Sequence, residues 1–221
     1  MITNTVFSFL EQLKLNNNRD WFHENKKLYN QAKTDFELFV NLMINEVGKF
    51  DKEVVSMSAK ESIFRIFRDV RFSKDKSPYK TNFGAFVSAG GKNSSLAGYY
   101  FHVEPGNCML AGGIYMPPSP ALKAVRQEIY DNTEEFKEII SAPEFIGNFH
   151  QLEGDKLTAA PRGFPKDFKD IDLLKYKNYL VMHELRDEEL KQEDFLSEMS
   201  TVFKAMTPLN HFINRAIIEN S

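Results

Sequence analysis

"NFGAFVSAGGKNSSLAGYYFHVEPGNCMLAGGIYM", Asn82 to Met116, is the stretch that decides the fold. Its apolar runs are short, rich in Phe, Tyr, Val and Ile, and separated by Gly, Ser, Asn and Pro. Runs of that length and composition read as strands, and the punctuation between them as turns. One strand is read in "NFGAFVSA", one in "AGYYFHVE" and one in "CMLAGGIYM". Pro105 and Gly106 suit the two central positions of a tight turn between the last two. The result is an antiparallel meander of three or four strands.

The neighbouring segments extend it. "SIFRIFRDVRF", Ser62 to Phe72, alternates Phe64, Ile66, Val70 and Phe72 against Arg65, Asp69 and Arg71. A period of two predicts a further strand, with one helical turn at Arg68–Arg71 as the alternative. "NYLVMHEL", Asn178 to Leu185, reads as the last strand. "FHQLEGDKLTAAPRGFPKDF", Phe149 to Phe168, is irregular and has room for one short strand pair.

Helices flank the strands. Residues 3–16 place Val6, Phe9, Leu10 and Leu13 on one face. After the triple-Asn turn a long helix begins, with Asn18 as its N-cap and Asp20 in its first turn, where a carboxylate suits the helix dipole. Its stripe is Leu28, Ala32, Phe36, Phe39, Met43 and Val47, and Gly48 ends it. "PPSPALKAVRQEIYDN" restarts helix, with Ser119 as cap and Pro120 in the first turn. A short helix follows from Thr133 to Ile140. The chain from Arg186 onward is helical and acidic, with a break expected before Pro208. The fold class is α+β: an antiparallel sheet of about four to six strands packed against N-terminal and C-terminal helices. One domain is expected over 1–221, with a helical hairpin at about 3–50, a sheet core at about 62–116 and a mixed part at about 119–221.

Composition narrows the functional classes. The chain has 221 residues and a formal net charge of −3, which weighs against a general nucleic-acid coat protein. Its one cysteine, Cys108, cannot form an intrachain disulfide, which fits a reducing compartment. The N-terminus has no basic leader, and no window approaches the ~18 apolar residues of a membrane span. A soluble cytoplasmic protein with no membrane association is expected.

Four motifs occur in a telling order: "NNNRDWF" at Asn16–Phe22, "FRIFRDVRFSKDKSPYKTNFG" at Phe64–Gly84, "GGIYMP" at Gly112–Pro117, and "PRGF" at Pro161–Phe164 followed by "LLKYKNYLV". In this the chain resembles the domain-of-unknown-function 2461 family over nearly its whole length. The resemblance implies one domain spanning the sequence. It carries over no agreed activity, substrate or catalytic residue.

The candidate site is therefore read from charge. From Lys60 to Lys80 the net charge is +4, against −7 for the remainder. Arg65, Arg68, Arg71, Lys74, Lys76 and Lys80 are the candidate donors to a small anionic, phosphate-bearing ligand. Guanidinium offers a bidentate fork and ammonium a mobile point charge. Arg162, in the rigid "PRGFP" loop, and Tyr115, beside Gly112 and Gly113, are added as candidate ligand contacts. Without an early glycine, "SKDKSPYKTN" is not a P-loop. The structural alternative pairs the same arginines with Asp69, or with the acidic segment Val181–Ser200. Two further functions use the same strip. One is nucleic-acid association, with Phe72, Tyr79 and Phe83 as stacking groups, disfavoured by the acidic remainder. The other is a non-enzymatic protein-interaction module.

Whether the protein is an enzyme is left open. His102 and Glu104 share a strand face with Tyr100 and are the candidate acid/base pair, with a solvated sheet face as the plain alternative. No metal or cofactor is expected: HExxH, CxxC, GxSxG and GxGxxG are all absent from the sequence.

Overall fold

A computed structural model describes residues 1–220. The strands are β1 (Phe83–Val87), β2 (Gly98–Val103), β3 (Cys108–Ile114) and β4 (Tyr179–Leu185). They form one antiparallel sheet in the order β1-β2-β3-β4. The Asn82–Met116 stretch thus supplies three neighbouring strands, and "NYLVMHEL" returns from far along the chain to the free edge of β3. At the β2–β3 turn Asn107 N donates to Glu104 O at 2.8 Å, and Gly106 takes φ of +77°, which the second central position of such a turn requires.

The helices are α1 (Asn4–Leu15), α2 (Arg19–Glu24), α3 (Lys26–Val47), α4 (Ala59–Ser62), α5 (Ser119–Asp131), α6 (Thr133–Ser141), α7 (Pro143–Phe149), α8 (Ile171–Leu174) and α9 (Phe195–Glu219). Asn18 caps α2 by accepting from Trp21 N at 2.9 Å. The helix expected to run from Asn18 to Gly48 is broken at Asn25, whose side chain bonds back to Trp21 O.

Alternation along β2 separates two faces. Tyr99, Phe101 and Val103 are buried, whereas Tyr100 and His102 are half-buried. The inner face meets α3 and α9: Phe101 packs against Phe36, Phe39 and Phe195, and Tyr99 against Phe203. Gly112 is an inner-face position where a Cβ would lie 2.5 Å from Met206 Sδ, so its glycine lets α9 sit close on β3. Gly112 thus serves helix packing and not a bulge. The core runs continuously from α1 and α3 through the sheet to α9.

Two further expectations are corrected. The Ser62–Phe72 run is not a strand: only the bridges Ile63↔Ala85 and Phe67↔Tyr79 form. Phe64 N bonds to Gly84 O, Lys80 N to Ile66 O and Arg68 N to Pro78 O, so the segment follows the β1 edge as an irregular arm. Its apolar residues serve different surfaces, Phe64 lying on Tyr100 and Phe67 on Phe22, and no regular pleat can do both. Likewise α9 does not break before Pro208, which lies inside it. Val202, Phe203, Met206, Leu209, Phe212 and Ile213 are buried on both sides of the proline. Their packing outweighs the roughly 3 kcal/mol that an interior proline costs. The irregular segment before α8 forms only the isolated bridges Glu153↔Leu180 and Lys156↔Tyr176. No helix of the described residues is long and apolar enough to cross a membrane.

Candidate functional site

The arm and the outer face of the sheet meet around Lys80. Phe64 stands edge-on to Tyr100 at 6.3 Å, and the Lys80 ammonium lies 5.4 Å from the Phe64 ring centre. Lys80 is half-buried, and its pKa is lowered, first by that burial and then by the neighbouring Arg65 guanidinium. Among the described residues neither Lys80 nor Arg65 has a carboxylate within ion-pair distance.

The residues after Lys80 are pinned to β2. Thr81 Oγ1 donates to Glu104 Oε1 at 2.5 Å, and the Asn82 amide nitrogen lies 3.3 Å from His102 Nδ1. Tyr100 Oη lies 2.9 Å from the same nitrogen. To reach it the tyrosine ring crosses Gly84 of β1, where a Cβ would stand 2.7 Å from Tyr100 Oη. His102 Nε2 is buried without a hydrogen bond and faces Glu104 Oε2 at 3.5 Å. A carboxylate there favours the tautomer with its proton on Nε2, leaving Nδ1 to accept from the phenol.

Burial lowers the His102 pKa; the nearby Glu104 carboxylate opposes it without reversing it. Burial raises the Glu104 carboxyl, but hydrogen bonds from Thr81 and Asn107 and the neighbouring His102 outweigh it and the net shift is downward. Burial pushes the Tyr100 phenol up to about 12, so at neutral pH it remains a donor. His102 Nε2 is buried, and Nδ1 is met by Tyr100 Oη. The His102–Glu104 pair therefore fits a positioning network that fixes Thr81 and Asn82, and with them Lys80, better than it fits a general base.

The other basic residues divide. Arg68 is spent inside its own loop: it pairs with Asp75 and donates to Ser77 O at 3.3 Å and Ser73 Oγ at 3.4 Å. Arg71 forks onto Asp69 at 3.0 and 2.7 Å. Lys76 Nζ donates to Val70 O at 3.0 Å. Lys74 is exposed at the loop tip. The ion pairs of the arm are thus internal, and among the described residues none joins it to Val181–Ser200. Arg162 is exposed on a loop that Phe164 anchors to Tyr130 of α5, and among the described residues no ion pair joins it to the arm. Tyr115 is 73% exposed, beyond the end of β3 remote from the Met109↔His102 pair. Of the proposed stacking groups Tyr79 and Phe83 are buried, while Phe72 is 95% exposed.

Sequence reasoning passed over Asn82 as a candidate-site residue, offered Thr81 only as a loop hydroxyl, and gave Tyr100 only as a face-mate of His102 and Glu104. The signal was present as the polar pair directly before "FG" and as the second tyrosine of "GYYFH". Elsewhere a hollow of about 620 Å³ lies against α9, lined by Glu53, Glu135, Pro208, His211, Phe212 and Arg215 among others. Its guanidinium is already held by Glu128 and Glu135. Cys108 is buried, donates to Glu104 O at 3.2 Å, and has its thiol pushed up to about 12, first by burial. These features describe an inert thiol.

A family model described as "Conserved hypothetical protein (DUF2461)" matches residues 5–212. No curated protein and no solved structure matches.

Proposed function

The chain belongs to the DUF2461 family, whose description names no activity, and from its own geometry we propose that it binds a small anionic, phosphate-bearing ligand at Lys80 and Arg65. The supporting observation is a half-buried Lys80 ammonium set over the Phe64 ring, its pKa lowered further by the exposed Arg65 guanidinium, with neither cation in an ion pair among the described residues. The two like charges repel, and at Lys80 partial desolvation adds to the cost; an anion seated between them removes it. Arg65 supplies the bidentate fork and Lys80 a point charge steadied by the Phe64 ring. The Tyr100–His102–Glu104–Thr81 network holds the floor of the site. Arg68, Arg71 and Lys76 serve as braces of the loop, a narrower assignment than the whole basic run.

A thermal-shift titration with inorganic phosphate and AMP tests this. Ligand at 100 times Kd stabilises by about 2.7 kcal/mol. For a chain of this size that is a rise in Tm of roughly 5–10 °C. Lys80→Met, which keeps the stem on Phe64, and Arg65→Gln each abolish most of the rise, whereas Arg71→Gln leaves it. A wild-type Tm indifferent to both ligands, or equal responses in all three variants, removes the proposal.

A further inference from the structure

Beyond Lys80, the outer face of the sheet and the tip of the arm remain unused. Phe86, Tyr100, Ala111 and Met182 stand in one register across the four strands, the first three half-buried and Met182 exposed. With strands about 4.8 Å apart this is a shelf on the order of 15 Å wide. Phe64 and Lys80 form its near rim. From there charge and aromatic surface continue to the tip: Arg65 acts on Asp69, Asp69 holds Arg71, and the Arg71 guanidinium lies 5.8 Å from the Phe72 ring.

The tip is braced from within. Arg68 ties Asp75, Ser73 and Ser77 together, Asp75 accepts from Ser77 N at 2.9 Å, and Lys76 closes onto Val70 O. These bonds hold Phe72 out at 95% exposure between Arg71 and Lys74. No intramolecular packing accounts for an aromatic ring presented in that way.

We infer that the anion of the site is the backbone phosphate of a single-stranded nucleic acid, with bases stacked on Tyr100 and Phe86 and on Phe72. This deepens the anion-site reading and rests on it. An open antiparallel sheet face carrying aromatic rings, with cations along its rim, matches what unpaired bases and their phosphates need. A duplex hides its base faces and gains only the phosphate contacts. An anionic bilayer gains insertion from the exposed Phe72 but leaves the half-buried Phe86 and Tyr100 rings without partners.

Fluorescence anisotropy with a labelled 15-nucleotide oligothymidylate tests the inference on the full chain. A 15-base-pair duplex and phosphatidylserine/phosphatidylcholine vesicles are the comparisons, and the phosphate thermal shift is run in parallel. With three or four phosphates engaged, log K falls against log salt with a slope of about −2 to −3. Phe72→Ala, an exposed position that leaves folding intact, weakens the oligonucleotide about tenfold and leaves the phosphate response unchanged. Lys80→Met weakens both. If phosphate stabilises the protein but the oligonucleotide does not bind, or binds regardless of Phe72, the inference falls and the anion site stands. If neither phosphate nor oligonucleotide binds, both fall. Duplex binding as tight as the single strand, or vesicle binding in its place, also overturns it.

Discussion

At the scale of single residues, the proposed site depends on what surrounds Lys80 and not on how many cations precede it. Gly84 shows how narrow the tolerance is. It lies beneath the Tyr100 ring, and the atom its absent Cβ would strike first is the phenolic oxygen. Gly84→Ala is expected to leave the protein folded and to cost about 1–3 kcal/mol, as overpacking does. Removing the hydroxyl with Tyr100→Phe should recover part of that loss. Urea unfolding of the two single variants and the double variant measures the coupling. Strictly additive losses would show that the phenol is not the obstacle.

At the scale of elements, one buried carboxylate joins three of them. Asp51 follows α3 and is 4% exposed. Its Oδ2 accepts from Tyr99 Oη of β2 at 2.7 Å, its Oδ1 from Glu53 N at 3.1 Å, and His211 Nε2 of α9 lies 3.6 Å away. Burial pushes the Tyr99 phenol far up, which keeps it a donor. Asp51→Ala strands these donors and is expected to destabilise the protein by roughly 1–3 kcal/mol. Asp51→Asn, which can still accept from Tyr99, should lose less. Denaturant midpoints decide it; equal losses for the two variants would mean that the hydrogen bonds are not what Asp51 contributes. The same elements explain why Pro208 does not divide α9: the helix is held by the sheet on which it lies, not by its own hydrogen-bond ladder.

At the scale of the whole molecule, acid should unfold the protein in two stages. The folded state lowers the His102 pKa, so between that value and the unfolded ~6.5 the unfolded chain binds more protons. Stability is therefore full above about pH 6.5 and declines as pH falls toward the folded value. Glu104, also lowered, adds its loss below the ~4.3 of an unfolded glutamate. Asp69 and Asp75, held down by hydrogen bonds from Arg71 and Ser77 respectively, act in the same direction at still lower pH. Stability measured by urea unfolding should fall from pH 7 to pH 5, and His102→Gln should flatten that interval. A wild-type curve level across it would contradict the burial of His102.

Much of this architecture was legible in the chain because it is local. Strand alternation in "AGYYFHVE", the turn at Pro105–Gly106 and the stripe of α3 each follow from side chains a few residues apart, whose period sets which face is apolar. The candidate site was legible only as a region. Seven basic residues crowd Lys60–Lys80, but sequence spacing does not say which of them already has a partner. Folding decides that. The short loop lets Asp75 reach back to Arg68 and Asp69 capture Arg71, while the bend that puts Phe64 on Tyr100 leaves Lys80 and Arg65 without a carboxylate at ion-pair distance. Periodicity is a property of the chain; unsatisfied charge is a property of three-dimensional neighbourhoods, because an ion pair depends on distance through space.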